Sequence, residues 1–204
     1  MKEKIIELKP NPVLEKFIKS FPKGKALDLG AGQGRNSIFL AKKGFKVEAI
    51  DKDYKSLEIC SNSAKNKKLK IKIIKSDIRK FDFKKNKYSL VVSVASLDFL
   101  KKKEIEIIIK KIRESLIKNG IIFLFVFSVK DPLYKKIKKI ELKEIEENTF
   151  YLPKYKTYRH FFTKKEIHEI LQEFKIIHLK QKKIKDTGHG QSHFHNTIEV
   201  IAKK

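Results

Sequence analysis

Residues 25–42 read Lys25-Ala-Leu-Asp-Leu-Gly-Ala-Gly-Gln-Gly-Arg-Asn-Ser-Ile-Phe-Leu-Ala-Lys42. An apolar stretch from Ala26 to Leu29 suits a buried strand, and three alternating glycines follow it. Ser37–Lys43 then has the spacing of a helix. Glycine lets the backbone turn sharply and approach a ligand without a Cβ in the way. A strand, a glycine turn and a helix in that order place a nucleotide-like ligand at the carboxyl edge of a parallel sheet.

Working outward, the same rhythm repeats. Val13, Leu14, Phe17, Ile18 and Phe21 share one face of a leading helix at about 11–21. Strands are predicted at Lys46–Asp51, Ile71–Asp77, Tyr88–Val94 and Ile121–Ser128, with helices at Tyr54–Asn66 and Glu104–Leu116. Asn119-Gly120 reads as the end of the latter helix. Alternating strands and helices imply a doubly wound α/β fold with a mainly parallel sheet and right-handed crossovers. Thr163 and Glu166 read as a capping box opening a helix to Phe174. Strands Lys175–Ile184 and Asn196–Ala202 follow with no helix between them, so they pair as an antiparallel hairpin. Residues 129–162, with two prolines and many Lys and Tyr, read as an insertion over the active-site edge of one domain spanning 1–204.

The chain carries 49 Lys and Arg against 24 Asp and Glu, a net charge of +25. Such a charge permits nucleic-acid binding. Only Arg35, Arg79, Arg113 and Arg159 are arginines, however, and phosphate and base readout favours the planar guanidinium fork. Lysines run along the whole chain rather than in a block, so a solvated surface accounts for them. No apolar run approaches the roughly 20 residues of a membrane helix. The charged N-terminus lacks an apolar signal core, and the one cysteine, Cys60, makes no internal disulfide, so a cytoplasmic location is expected. Cys60 reads as a small packed residue of a helix.

The glycine turn does not fit a dinucleotide. Gly30-Ala31-Gly32-Gln33-Gly34-Arg35 puts Arg35 where a nicotinamide site needs its third glycine, and Asp28 would face a pyrophosphate. S-adenosylmethionine has an ammonium group, a sulfonium and no phosphate, so Asp28 can attract its methionine end directly or through water. Asp51 closes the second strand 21 residues after Gly30, where a carboxylate can take both ribose hydroxyls. Asp77 closes the third strand, where it can accept from the adenine amino group beside the apolar edge of Ile78. Each acid alone could be a solvated turn or cap; three at successive strand ends after a glycine turn point to a cofactor.

Three segments carry a closer likeness: Asp28-Leu-Gly-Ala-Gly-Gln-Gly-Arg-Asn-Ser37, Gly44-Phe-Lys-Val-Glu-Ala-Ile-Asp51-Lys52 and Ser93-Val-Ala-Ser-Leu-Asp-Phe-Leu100. The chain resembles class I S-adenosylmethionine-dependent methyltransferases along essentially its whole length, and most closely the tellurite-resistance (TehB-type) ones. That resemblance implies a seven-stranded, Rossmann-like mixed sheet of order 3-2-1-4-5-7-6 with the last strand antiparallel. It also implies cofactor contacts at Asp28, Gly30, Ala31, Gly32, Arg35, Asn36, Asp51, Lys52, Asp77, Ile78 and the backbone around Val94. Helix capping at the turn is the other account of Arg35 and Asn36.

For the methyl acceptor, the segment after the fourth strand has no Asn/Asp-Pro-Pro-Tyr/Phe, as base-amino methylation of DNA uses, and no nucleophilic cysteine for cytosine C5. Those absences favour a small acceptor, and the resemblance to TehB-type enzymes implies a chalcogen oxyanion, a thiol or another soft nucleophile. An RNA or protein methyltransferase and a non-catalytic cofactor-binding module are the alternatives. The loop between the last two strands carries His189, His193 and His195 and should overhang the ligand edge. His193 corresponds to a histidine of TehB-type proteins, although Phe194 stands where their arginine does. The three histidines can act as a general base, as ligands of a borderline metal ion, or as a polar loop. The pattern assigns no defined metal site. Tyr151, Tyr155, Tyr158, Phe161 and Phe162 could form a lid, and His160 could join the pocket or lie on the surface.

Overall fold

The computed structural model describes residues 9–186 and 192–204. Five strands run parallel: β1 (Lys25–Leu29), β2 (Lys46–Asp51), β3 (Ile71–Lys75), β4 (Tyr88–Val94) and β5 (Leu116–Phe127). Three short strands, β6 (Glu144–Glu146), β7 (Thr149–Leu152) and β8 (Thr157–His160), form a separate antiparallel sheet. A hairpin of β9 (Lys175–Asp186) and β10 (His193–Lys203) completes the main sheet, whose order is β3-β2-β1-β4-β5-β10-β9. With the three short strands set aside, this is the expected 3-2-1-4-5-7-6 order. β10 is antiparallel to both β5 and β9, so β9 points the same way as the core strands and ends at their carboxyl edge.

The strands are apolar on both faces because helices cover both. In β5, Ile122, Leu124 and Val126 join one core cluster while Ile121, Phe123 and Phe125 join the other. The first cluster is closed by helix α4 (Lys102–Ser115), through Ile105, Ile108, Ile109 and Ile112. The second is closed by α1 (Pro12–Phe17) and α2 (Arg35–Lys42), through Val13, Leu14, Phe39 and Leu40. Asn36, expected at the cofactor or as a helix cap, holds these two helices together: its Oδ1 accepts from Asn11 N–H at 3.0 Å. Asn11 is itself the α1 cap, accepting from Val13 N–H.

Two local expectations are corrected. Asn119-Gly120 is not a helix end; α4 stops at Ser115 and the chain is already extended at Leu116. Asn119, at φ 64°, lies where β5 slips in register against β4. The capping box at Thr163 is half formed, in α6 (Lys164–Ile170): Thr163 Oγ1 accepts from Glu166 N–H at 3.0 Å. The Glu166 carboxylate turns to His160 Nε2 at 2.9 Å instead. His160, fully buried, also bonds Thr149 Oγ1 at 2.7 Å. It therefore ties the insertion to α6 and joins neither the pocket nor the surface.

The insertion leaves and rejoins the sheet at one point, where Phe162 N–H donates to Phe127 O at 2.8 Å and Val129 N–H to Phe162 O at 3.1 Å. Between those bonds lie α5 (Pro132–Lys139) and the small sheet, packed around Ile137, Phe150 and Phe161. Cys60, on α3 (Tyr54–Asn66), is fully buried, and burial chiefly, with the nearby Asp28 charge, pushes its thiol up to about 12. The thiolate is the reactive form. Native protein should therefore resist iodoacetamide near neutral pH and be alkylated at one site after denaturation, as read by intact mass.

Candidate active site

The turn after β1 is built to expose backbone. Gly30, Gly32 and Gly34 sit at φ 70°, 53° and 85°, where side chains other than glycine are strained. A Cβ at Gly30 would lie 2.3 Å from Ser96 Cβ, and one at Gly34 2.2 Å from Cys60 Sγ. At Gly32 it would meet nothing within 4 Å, so this glycine faces open space. The end of β4 is fastened beneath: Ser96 Oγ donates to Leu29 O at 2.8 Å and pairs with Ser93 Oγ at 2.6 Å. Ala95, at φ 50°, makes the turn between them.

A cavity of about 550 Å³ opens here at the carboxyl ends of the strands, within the range of small-molecule sites. It brings together five of the expected residues: Gly30, Asp51, Lys52, Asp77 and Ile78. Asp51 Oδ2 accepts from Gly32 N–H at 2.8 Å and its Oδ1 from Asp53 N–H at 2.9 Å. Asp77 is more engaged than expected. Arg79 Nε donates to its Oδ1 at 2.9 Å and Nη2 to its Oδ2 at 2.5 Å, while Nη1 reaches Glu104 at 3.3 Å. The Arg79 hydrogen bonds chiefly hold the Asp77 carboxyl down at about 2.

The other expected residues support the cavity without being among those lining it. Asp28 is 1 % exposed and accepts from Ser37 Oγ at 2.6 Å, tying β1 to α2. Ala31 N–H donates to Ile50 O at 2.9 Å, and Arg35 opens α2 behind the Gly34 turn. Val94 is buried at the end of β4, and Ala95 and Ser96 after it line the cavity. His189 lies outside the described residues. His193 and His195 stand on the hairpin at the same edge: His195 Nδ1 is 3.0 Å from Asp131 Oδ2, and the two Nε2 atoms are 2.9 Å apart.

Burial lifts the Asp28 carboxyl to about 6, against the lowering influence of Ser37 and Arg35. Its folded value thus exceeds its unfolded one, so the native state holds the proton more tightly, and stability falls as pH rises from about 4 to about 6. Asp28→Asn should therefore melt several degrees above the parent at pH 8. The gap should close below pH 4, as followed by thermal denaturation across pH.

The insertion supplies the opposite wall: Leu133, Leu152, Tyr155, Thr157 and Arg159. Of the five aromatics considered as a lid, Tyr155 alone borders the cavity. Tyr151 and Tyr158 pack on each other, Phe161 fills the insertion and Phe162 the main core. Sequence reasoning missed Arg159. Its guanidinium stacks over Phe99 and Phe127, 4.4 and 5.0 Å from the ring centroids, and its Nε and Nη1 are buried with no hydrogen-bond partner. It also missed Asp98, which is wholly buried. Asp98 Oδ1 accepts from Phe127 N–H at 2.6 Å and its Oδ2 has no partner. Burial raises its carboxyl to about 6, and the Arg159 charge opposes that rise.

The family described as "Tellurite resistance protein TehB" matches residues 10–132, more than half of the chain. The chain belongs to the TehB family. A curated TehB relative from Haemophilus influenzae, named a probable S-adenosyl-L-methionine-dependent methyltransferase, is 33% identical over 90 residues. That match takes in 44% of this chain and 31% of the relative, so the chain spans about a third of its length. The crystal structure of the Haemophilus influenzae TehB superposes with a TM-score of 0.75 at 20% identity, covering 95% of this chain and 62% of that one. A SAM-dependent methyltransferase from Methanosarcina mazei superposes with a TM-score of 0.78 at 23% identity, over 97% of this chain and 99% of that one. These superpositions establish a Rossmann-like methyltransferase fold. The TehB match ends at Pro132, so the insertion wall that carries Arg159 lies beyond it. Among the described residues no helix is long and apolar enough to cross a membrane.

Proposed function

We propose that this TehB-family chain is an S-adenosylmethionine-dependent methyltransferase whose acceptor is a small, soft, anionic nucleophile such as a chalcogen oxyanion or a thiolate. The observation that carries the reading is one cavity with two unlike walls. The strand-end wall offers backbone and carboxylates. The insertion wall offers an unpartnered guanidinium among apolar side chains.

The residues present fit the cofactor. Gly32 leaves room for it, Asp51 keeps acceptor capacity on both oxygens for ribose hydroxyls, and Ile78 gives an apolar edge for adenine. When bound, S-adenosylmethionine supplies an electrophilic methyl group on a sulfonium. Lys52 and Arg79 surround Asp77 with positive charge, so the adenine contact falls more to Ile78 than to a free carboxylate.

On the acceptor side, Arg159 borders the cavity with a permanent positive charge and two N–H groups that lack a protein partner, an arrangement that is costly in an empty site. Charge-assisted hydrogen bonds from a guanidinium to an oxyanion are among the stronger ones. Asp98 is a buried carboxyl whose ionised form the Arg159 charge favours. Phe99, Leu100, Leu133 and Leu152 keep water from the acceptor, and alignment in such a site supplies much of the rate. Because the insertion walls the cavity, a small acceptor is favoured over RNA or protein.

The test is transfer of a labelled methyl group from S-adenosylmethionine to a panel of selenite, tellurite and small thiols, with RNA and protein fractions in parallel, read by mass spectrometry. Labelled small products are expected. Label confined to the polymers, or no transfer to any acceptor, would overturn the reading.

A further inference from the structure

We infer that Asp186, His193 and His195 form a binding site for one borderline divalent metal ion, such as Zn(II) or Co(II), at the loop end of the β9–β10 hairpin. The register of the hairpin places the ligands together. His193 is paired directly with Asp186 across the strands, and His195 lies two residues along β10 on the same face. One ligand atom from each residue lies within 4.8 Å of the other two. His195 Nε2 is 2.9 Å from His193 Nε2 and 3.8 Å from Asp186 Oδ2.

The orientation of His195 is fixed from behind. Asp131 caps α5, its Oδ1 accepting from Leu133 N–H at 2.8 Å. Its Oδ2 accepts from Asn196 N–H at 2.9 Å and lies 3.0 Å from His195 Nδ1. That oxygen is an acceptor, so Nδ1 donates to it and Nε2 is the ring nitrogen turned toward His193 and Asp186. A carboxylate behind a histidine is how metal-binding imidazoles are oriented and made more basic. Asp131 is 1 % exposed and immobilised by three hydrogen bonds, so His195 is held before any ion arrives.

The spacing needs little change. Two imidazole nitrogens on a tetrahedral ion at metal–nitrogen bonds of about 2.0–2.1 Å stand roughly 3.3 Å apart. The observed separation differs from this by about 0.4 Å. Two imidazoles and one carboxylate suit zinc, cobalt, nickel, copper or iron rather than magnesium or calcium, and three protein ligands leave a coordination position open.

The site adjoins the cavity without being part of its lining. The Phe127 ring packs against His195 at 4.7 Å and under Arg159 at 5.0 Å. Asp131, which holds His195, also starts the helix whose Leu133 faces the cavity. A bound ion would fasten the hairpin end to the base of the insertion.

Tag-free, chelator-treated protein should bind one equivalent of Zn(II) by calorimetry. The same protein with Co(II) should develop visible d–d absorption of a nitrogen- and oxygen-ligated ion. His193→Ala and His195→Ala should each lower affinity by at least about 100-fold, and Asp131→Asn by about 10–100-fold, as for lost outer-shell support. His168→Ala, on the exposed face of α6, should change nothing. Circular dichroism and S-adenosylhomocysteine binding of each variant establish that the fold survives. The inference is overturned if the parent shows no saturable one-equivalent binding, or if folded His193→Ala and His195→Ala variants bind Zn(II) like the parent.

Discussion

Arg159→Ala should lower kcat/KM for an anionic acceptor by about 100- to 1,000-fold, which corresponds to about 3–4 kcal/mol. The magnitude follows from removing two N–H donors to an anion, each such bond contributing about 1.5–3 kcal/mol. Most of the loss should appear in KM for the acceptor. Affinity for S-adenosylhomocysteine should stay within a few-fold of the parent, because Arg159 comes from the insertion wall and the cofactor groups from the strand ends. Arg159→Lys should recover little, since an ammonium cannot reproduce the fork or the stacking over Phe99 and Phe127. Unchanged kcat/KM in a folded Arg159→Ala protein would remove the anion site from the account.

Gly34→Ala should destabilise the protein by about 2–5 kcal/mol, read from urea unfolding. Two causes add. The backbone at φ 85° is strained for an L side chain, at about 1–2 kcal/mol. The new Cβ also meets Cys60 Sγ at 2.2 Å and Cys60 Cβ at 2.8 Å, an overpacking of about 1–3 kcal/mol. Cys60 sits inside α3 and cannot turn away without moving the helix. Cys60→Gly in the Gly34→Ala background should therefore recover part of the loss although it is destabilising alone, a coupling that a double-mutant cycle measures. Simple additivity would show that the helix and the glycine turn are not in the contact described.

What could be read from the chain and what could not divide along the length scale of the cause. Strand order and the acids at Asp51 and Asp77 follow from patterns a few residues long, because a strand end and a glycine turn declare themselves locally. Asp77's partner was also local: Arg79 is two residues on, and an Asp-x-Arg turn was a readable warning. The bond from Asn11 N–H to Asn36 Oδ1 spans 25 residues and could not be read locally, so Asn36 was read only against the cofactor and the helix cap. Asn119-Gly120 carried a helix-end signature, yet tertiary pairing of β5 with β4 drew the chain into a strand at Leu116. Arg159 was invisible for a similar reason. It lies on a four-residue strand of a small Lys-rich sheet, and nothing in Thr157–His160 indicates that Phe99 and Phe127 will meet its guanidinium. His193 and His195 were noticed from their clustering, but Asp131, which orients His195, is 64 residues away.

The central claim is that the carboxyl edge of the sheet holds S-adenosylmethionine with Asp51 on its ribose. Titration calorimetry with S-adenosylhomocysteine on the parent and on Asp51→Ala tests it most directly. The account predicts one site per chain in the parent and at least about a 30-fold weaker affinity in the variant, as for loss of hydrogen bonds to a charged acceptor. No binding by the folded parent, or equal binding by the two proteins, would contradict it.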